Sequence, residues 1–165
     1  MEPINIYMKL GIISDTHGFL NHRIHQLFEG IDAILHAGDI GDDVYIELQT
    51  IAPVTAVRGN MDRYGHTATL REWVGTSFAD KRIFLVHDLG APQRIKSSLL
   101  PSLEQYLPHI VIFGHTHVPY AAMLNDVFYF NPGSARQGRS GSKASVGLLE
   151  IHNAHVDHSV IPLES

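Results

Sequence analysis

Cysteine is missing from all 165 residues of the chain. That absence excludes disulfides, thiolate metal sites and a thiol nucleophile. Any metal held here must be bound by His, Asp, Glu or Asn side chains or by backbone oxygens. A basic surplus is missing too: 12 Lys and Arg face 17 Asp and Glu, for a net charge of −5. Such a balance speaks against long nucleic acid or an anionic membrane as a partner. No apolar run approaches the ~20 residues that span a bilayer. The opening "MEPINIYMKL" has no basic stretch leading into an apolar one, as a secretory signal does. A cytoplasmic protein is expected. Internal repeats and low-complexity tracts are also absent. What remains is ordinary for a globular protein, with 44% apolar and 18% charged residues. The length suits a single domain over residues 1–165 with its own core, residues 1–7 reading as a short N-terminal extension. Histidine stands out: there are 12, and several fall where apolar runs end.

The first half alternates short apolar runs with helix-length segments. "LGIIS" (10–14), "AILHA" (33–37) and "VTAV" (54–57) read as buried strands. Between them, Leu20 to Gly30 carries Ile24, Leu27 and Phe28 at helical spacing, stopped by Gly30. "DDVYIELQTI" (42–51) reads as a helix with Asp42 or Asp43 as N-cap and Pro53 just beyond. This β-α-β-α-β run implies parallel strands. After Arg58 the pattern changes. "ATLREWV" (68–74) and "KRIFLVH" (81–87) suggest a hairpin joined around Gly75 to Asp80, and Gln93 to Tyr106 suggests a helix kinked or split at Pro101. "IVIF", "YAAMLN", "VFYFN", "SVGLLEI" and "VDHSVI" then read as an antiparallel series, with turns at Asn125-Asp126 and Asn153-Ala154. The expectation is an α/β domain with one mixed sheet, or two, and helices outside.

Polar residues interrupt this pattern at the C-terminal ends of strands. "IIS" ends in Asp15-Thr16-His17, "ILHA" in Gly38-Asp39, and "TAV" runs through Arg58 and Gly59 to Asn60. "IFLV" ends in His87, and "IVIF" in Gly114-His115-Thr116-His117. Taken singly, each is an ordinary turn, helix cap or core histidine. Together they place metal-competent side chains on five strand ends, the edge at which open α/β sheets bind ligands. Four imidazoles, two carboxylates and one amide suit divalent metals of mixed N/O preference: manganese, iron, cobalt, nickel or zinc. Seven side chains exceed one tetrahedral site. They suit two metals sharing a carboxylate, roughly 3.5–4 Å apart, an arrangement that hydrolyses phosphate esters. His115 and His117, two apart on what reads as an extended segment, would stand some ~6–7 Å apart at the Cβ atoms given a rise of ~3.3 Å per residue. Thr116 between them would point away.

The ordered set Asp15-x-His17, Gly38-Asp39, Gly59-Asn60, His87 and Gly114-His115-x-His117, with "GNMD" and "NPGS", resembles the calcineurin-like metallophosphoesterase superfamily. The likeness points to its small prokaryotic phosphodiesterase branch and spans Lys9 to Ile161. It implies a four-layer αββα sandwich of two mixed β-sheets flanked by helices. It implies that Asp15, His17, Asp39 and His117 hold one divalent metal, and that Asp39, Asn60, His87 and His115 hold a second, with Asp39 shared. Manganese is the first expectation. Asp39, Asn60 and His115 would be catalytic, with a hydroxide between the metals attacking phosphorus in line. The implied substrate is a small or nucleotide-like phosphodiester, with a phosphomonoester as an alternative. A non-catalytic scaffold resembling the retromer subunit of the same fold is another. Edge strands leave room for a homodimer.

The chain departs from that pattern in two places. Met61 stands where larger members carry a histidine that protonates the leaving group, leaving water, Asp62 or Arg63 to do so. Asp88 stands where the branch commonly has glycine, either orienting a ligand histidine or solvated in a loop. His36 reads as a structural residue or a support to the ligands. Arg63 and Arg136 are candidate substrate contacts, whereas Arg139 reads as part of a solvated loop.

Overall fold

The computed structural model describes residues 7–163. The expected extension over residues 1–7 falls outside them except for Tyr7, which opens the first strand. The elements run β1 (Tyr7–Ile13), α1 (Arg23–Leu27), β2 (Ala33–His36), α2 (Asp42–Gln49), β3 (Val54–Ala56), β4 (Trp73–Phe78) and β5 (Lys81–Val86). They continue with β6 (Gly90–Ala91), β7 (Arg94–Ile95), α3 (Leu100–Tyr106), β8 (Ile110–Ile112), β9 (Tyr120–Leu124), β10 (Val127–Asn131), β11 (Ser145–His152) and β12 (His155–Pro162). One five-stranded sheet has the order β12-β11-β1-β2-β3 and a second the order β4-β5-β8-β10-β9, while β6 and β7 form a small ribbon.

Strand alternation builds the layers, because successive side chains leave a strand on opposite faces. Leu10, Ile12 and Leu35 of the first sheet meet Ile83, Leu85, Ile110, Ile112 and Phe130 of the second in one buried cluster. The alternate residues of β1 and β2, Ile13 and Ile34, turn outward onto Ile24, Phe28, Val44 and Leu48 around α1 and α2. Phe84, Val86 and Val111 turn the other way, onto Leu103 and Tyr106 of α3. The result is the αββα sandwich. Strands buried on both faces are apolar throughout, which is why they read as runs rather than as alternations.

The parallel β1-β2-β3 run is as expected. Several boundaries differ from the sequence reading. α1 covers only residues 23–27. The N-cap of α2 is Gly41, because Asp42 turns its carboxylate to the backbone N–H groups of His66 and Thr67 instead. Residues 68–72 are not a strand: Thr67–Thr69 forms a 3-10 turn, and β4 carries Gly75 within it. The hairpin turn is Ala79-Asp80, both at positive φ. The helix expected from Gln93 begins only at Leu100, with Pro101 in its first turn, where its missing N–H costs nothing. The closing strands are not one antiparallel series, since β10 runs parallel to β8 and β11 crosses to pair with β1.

Candidate metal centre

β1, β2 and β3 end together at one edge of the first sheet, and the parallel pair β5 and β8 end at the matching edge of the second. The loops leaving these ends are laced to one another. Asp15 N–H donates to Gly38 O (3.0 Å) and His17 N–H to Asp39 O (2.9 Å), tying the β1 and β2 loops. Gly114 N–H donates to His87 O (3.0 Å), tying those of β8 and β5. His87 joins the two sheets, its Nδ1 lying 2.7 Å from Ala37 O.

All seven candidate ligands gather here. Asp15 Oδ1 lies 3.2 Å from His117 Nε2 and 3.7 Å from His17 Nε2, and the two imidazole nitrogens are 3.3 Å apart. On the other side, His87 Nε2 lies 3.3 Å from Asp39 Oδ2, 3.0 Å from Asn60 Oδ1 and 3.3 Å from His115 Nδ1. Asp39 Oδ2 also faces His17 Nε2 at 3.7 Å. Asp39 Oδ2 therefore faces imidazoles on both sides, as does Asp15 Oδ1, which also lies 3.9 Å from His87 Nε2. Asp15, His17 and His117 form one compact set of ligand atoms and Asp15, Asp39 and His87 a second, with Asn60 and His115 adjoining His87.

Five of these residues, Asp15, His17, Asp39, His115 and His117, have φ between 47° and 74°. The expectation of an extended segment for His115 and His117 is thus overturned: β8 stops at Ile112, and both histidines lie in a left-handed loop. Each such residue costs on the order of 1–2 kcal/mol, and such strain clusters at functional sites. The adjoining glycines make the close approach possible. A Cβ at Gly59 would overlap the Asp39 carboxylate and backbone N–H, and one at Gly114 would overlap the Ser14 hydroxyl.

Each aspartate has one oxygen held and one offered. Asp15 Oδ2 accepts from Ser14 Oγ (2.6 Å) and His115 N–H (3.0 Å). Its Oδ1 is buried and accepts no hydrogen bond. Asp39 Oδ1 accepts from Met61 N–H (2.7 Å), freeing Oδ2. Carbonyl groups set the histidine tautomers, since a carbonyl can only accept. His87 Nδ1 donates to Ala37 O, and His117 Nδ1 donates to Gln137 O at 3.1 Å. In the neutral rings both Nε2 atoms then carry bare lone pairs, turned toward carboxylate oxygens. Such an arrangement needs positive charge at its centre. A divalent cation supplies it, and a sulfur-free set of imidazole and carboxylate donors suits one. The ionisation of the metal-free site follows from the same demand. Burial raises the Asp15 carboxyl, but the facing imidazoles of His117 and His17, the charge of His87 and the Ser14 hydroxyl outweigh it and hold Asp15 far below the usual carboxylate range. Burial lowers His87, but the Asp39 carboxylate, the charge of Asp15 and the Ala37 carbonyl raise it overall.

Residues outside the ligand set prove to hold the centre together. Asp62 is not a free proton donor. Its carboxylate accepts from the backbone N–H groups of Asp39 (2.9 Å), Gly59 (2.8 Å), Ile40 (2.9 Å) and Gly41 (3.3 Å). The "NPGS" segment supplies Asn131, whose Nδ2 donates to Gly114 O (3.2 Å) and Thr116 Oγ1 (3.1 Å), and Ser134, whose Oγ donates to Asp15 O (2.8 Å). His36 is fully buried. Its Nδ1 accepts from Gly38 N–H and its Nε2 meets Thr16 Oγ1 at 3.0 Å, joining the β1 and β2 loops. Asp88 sits between Lys96 (3.4 Å) and His115 Nε2 (3.9 Å) and accepts from Gly90 N–H, so it faces a candidate ligand from behind. Arg136 donates to His17 O at 2.6 Å, with its guanidinium 6.0 Å over the Phe19 ring. Arg63 donates to Asn60 O at 3.3 Å.

Comparison with known proteins gives this geometry a context. A domain described as the calcineurin-like phosphoesterase superfamily matches residues 8–154. A probable metallophosphoesterase from Methanothermobacter thermautotrophicus is 35% identical over 162 residues, covering 93% of this chain and 92% of the relative. The phosphodiesterase YfcE of Escherichia coli is 32% identical over 168 residues, covering 87% and 88%. The solved structure of the latter, described as a phosphoesterase, superposes with a TM-score of 0.71 at 29% identity over 95% of this chain and 94% of that one. Vps29 of Entamoeba histolytica, solved with zinc, gives a TM-score of 0.71 at 22% identity over 95% and 100%. That last likeness is one of fold alone.

Proposed function

Because the chain belongs to the calcineurin-like phosphoesterase superfamily, we propose that it is a metal-dependent phosphodiesterase with a dinuclear centre. The observation that carries this reading is Asp39 Oδ2, which faces His17 on one side and His87 on the other. Asp15, His17, His117 and Asp39 would hold one cation, and Asp39, Asn60, His87 and His115 the other. Manganese is the preferred ion, with nickel, zinc, iron(II) and cobalt compatible with the same donors. Divalent cations bound there lower the pKa of water and neutralise charge growing on phosphoryl oxygens.

The chain's own residues do the rest. The carbonyls of Ala37 and Gln137 turn the Nε2 atoms of His87 and His117 inward. Asp62 holds the β2 and β3 loops at a constant separation. Arg136, fixed on the His17 carbonyl, brings a guanidinium to the rim, where it can meet a phosphate oxygen. Met61 N–H orients Asp39, but the Met61 side chain has no proton to give. Departing groups that need no protonation are therefore favoured.

The test is a screen of aryl and alkyl phosphodiesters, and of the matching monoesters, on protein reconstituted with manganese, nickel or zinc. Aryl diesters are expected to be hydrolysed fastest. Alkyl diesters should lag by about 10²–10⁴-fold, the usual worth of a general acid. Asp39→Ala and Asn60→Ala should abolish turnover. Metal binding alone does not decide the matter, since the Vps29 of Entamoeba was also solved with zinc. A protein that binds two metals in every form and hydrolyses no ester would instead be a scaffold.

A further inference from the structure

A cavity of about 380 Å³ opens directly beside the shared carboxylate. His17 and Asp39 bound it on the side of the metal centre, and Met61, Arg63, Tyr64 and Thr67 line it along the 59–67 loop. That loop is held at both ends. Asp62 accepts from Gly59 N–H, and Asp42 accepts from the N–H groups of His66 and Thr67, both at 2.9 Å. Yet the fixed loop leaves Met61 52% and Tyr64 86% exposed. A thioether and an aromatic ring thus stand at the mouth of a cavity, where both can contact a bound ring.

We propose that this cavity receives a planar ring carried by one ester arm of the substrate, an aryl group or a nucleobase, with the phosphoryl group lying at Asp39. The inference rests on the phosphoesterase reading above and names the arm that site selects. Tyr64 offers a face for stacking, and the Met61 sulfur favours contact with aromatic rings. The volume lies at the small end of ligand pockets, enough for one ring-bearing arm and too little for a polymer. The neighbouring cavity, which adjoins His87 and Asn60, is different. It measures about 170 Å³ and is walled by Arg58, Glu72, Asp88 and Lys96. The two arms of a diester therefore meet unequal surroundings: one side is roomy and sets Met61 and Tyr64 beside the carboxylates of Asp42 and Asp62, and the other is tight and lined by polar side chains alone.

Titration calorimetry on manganese-loaded protein tests this with methyl phosphate, phenyl phosphate and adenosine 5′-monophosphate. At least one ring-bearing ester should bind about tenfold more tightly than methyl phosphate, equivalent to ~1.4 kcal/mol. Which of the two does so separates an aryl arm from a nucleobase. Tyr64→Ala should bring the ring-bearing ester to the level of methyl phosphate and leave methyl phosphate unchanged, while Tyr64→Phe keeps the preference. Equal affinities in the unaltered protein, no binding of any of the three, or a Tyr64→Ala loss shared by all three would overturn the proposal. Diesters hydrolysed by a protein that binds the three monoesters equally would refute the ring site and leave the phosphodiesterase reading standing. Ring preference with no diester hydrolysed would do the reverse.

Discussion

Asp62 shows how much of the centre depends on a residue that offers it no ligand. Four backbone N–H groups from two loops converge on its carboxylate. An amide has one acceptor oxygen and would turn N–H against N–H. Asp62→Asn is therefore expected to cost about 1.5–3 kcal/mol, the range for hydrogen bonds to a charged group. It should also weaken manganese binding by about 10–100-fold, as the loss of ligand-supporting contacts does. Urea unfolding and metal titration would measure the two effects, and an unchanged metal affinity would contradict the role. His36 carries a different signature. Burial pushes its imidazole down to about 3 from an ordinary value near 6.5. Below pH 6.5 the unfolded chain binds a proton there that the folded chain does not, so stability falls as pH falls from 6.5 toward 3. At pH 5 this amounts to about 2 kcal/mol, at ~1.36 kcal/mol per pH unit. Metal-free His36→Gln, though less stable at pH 7, should lose about that much less than the unaltered protein between pH 7 and pH 5. Equal losses in paired urea titrations would rule the assignment out.

At the scale of elements, β1, β2 and β8 are buried at their C-terminal ends and run into residues at positive φ, namely Asp15 and His17, Gly38 and Asp39, and His115 and His117. The turn of the β4-β5 hairpin carries no ligand and still has positive φ at Ala79 (48°) and Asp80 (67°). A two-residue hairpin turn asks for this at both central positions, where Asn-Gly is the favoured pair. Ala79→Asn with Asp80→Gly should stabilise the protein by about 1 kcal/mol, since left-handed backbone costs an ordinary residue ~1–2 kcal/mol. Thermal melts would read this as a higher midpoint with unchanged turnover. A lower midpoint would mean that the turn is set by contacts other than its own backbone. Element type was legible from composition and spacing at most positions. Boundaries failed where a distant partner intervened: Asp42 is drawn from its capping role by the N–H groups of His66 and Thr67. The first hairpin strand moved forward because Gly75 lies where a side chain would strike the Tyr106 ring, so glycine there serves packing and not a turn.

For the whole molecule, the decisive feature is that the C-terminal edges of two separate sheets meet, so the centre forms only when both are in place. A ligand that binds there and not to the unfolded chain stabilises the entire fold by mass action. Adding manganese to chelator-treated protein should therefore raise the unfolding free energy by about 2.7 kcal/mol at one hundred times its dissociation constant. Asp39→Ala should lose most of this gain, because its Oδ2 faces both His17 and His87. A manganese effect as large in Asp39→Ala as in the unaltered protein would place the stabilising ion elsewhere. Such melts also separate the metal centre from catalysis, since they need no substrate.

Residue chemistry and local order were enough to name all seven candidate ligands, the parallel opening of the fold and the family. Ligand type is a property of the side chain, and strand ends announce themselves by a local change from apolar to polar. The sequence alone also exposed Met61 and Asp88 as departures. What it could not supply depends on partners far apart in the chain. The inward nitrogen of His87 is chosen by Ala37, 50 positions away, and that of His117 by Gln137, 20 positions away. The work of Asp62, Asn131 and Ser134 is likewise invisible until the loops they bind lie side by side. Which donors face one another, and what holds them there, was decided by tertiary structure, because a tautomer and a carboxylate set between imidazoles are relations between loops and not properties of any one of them.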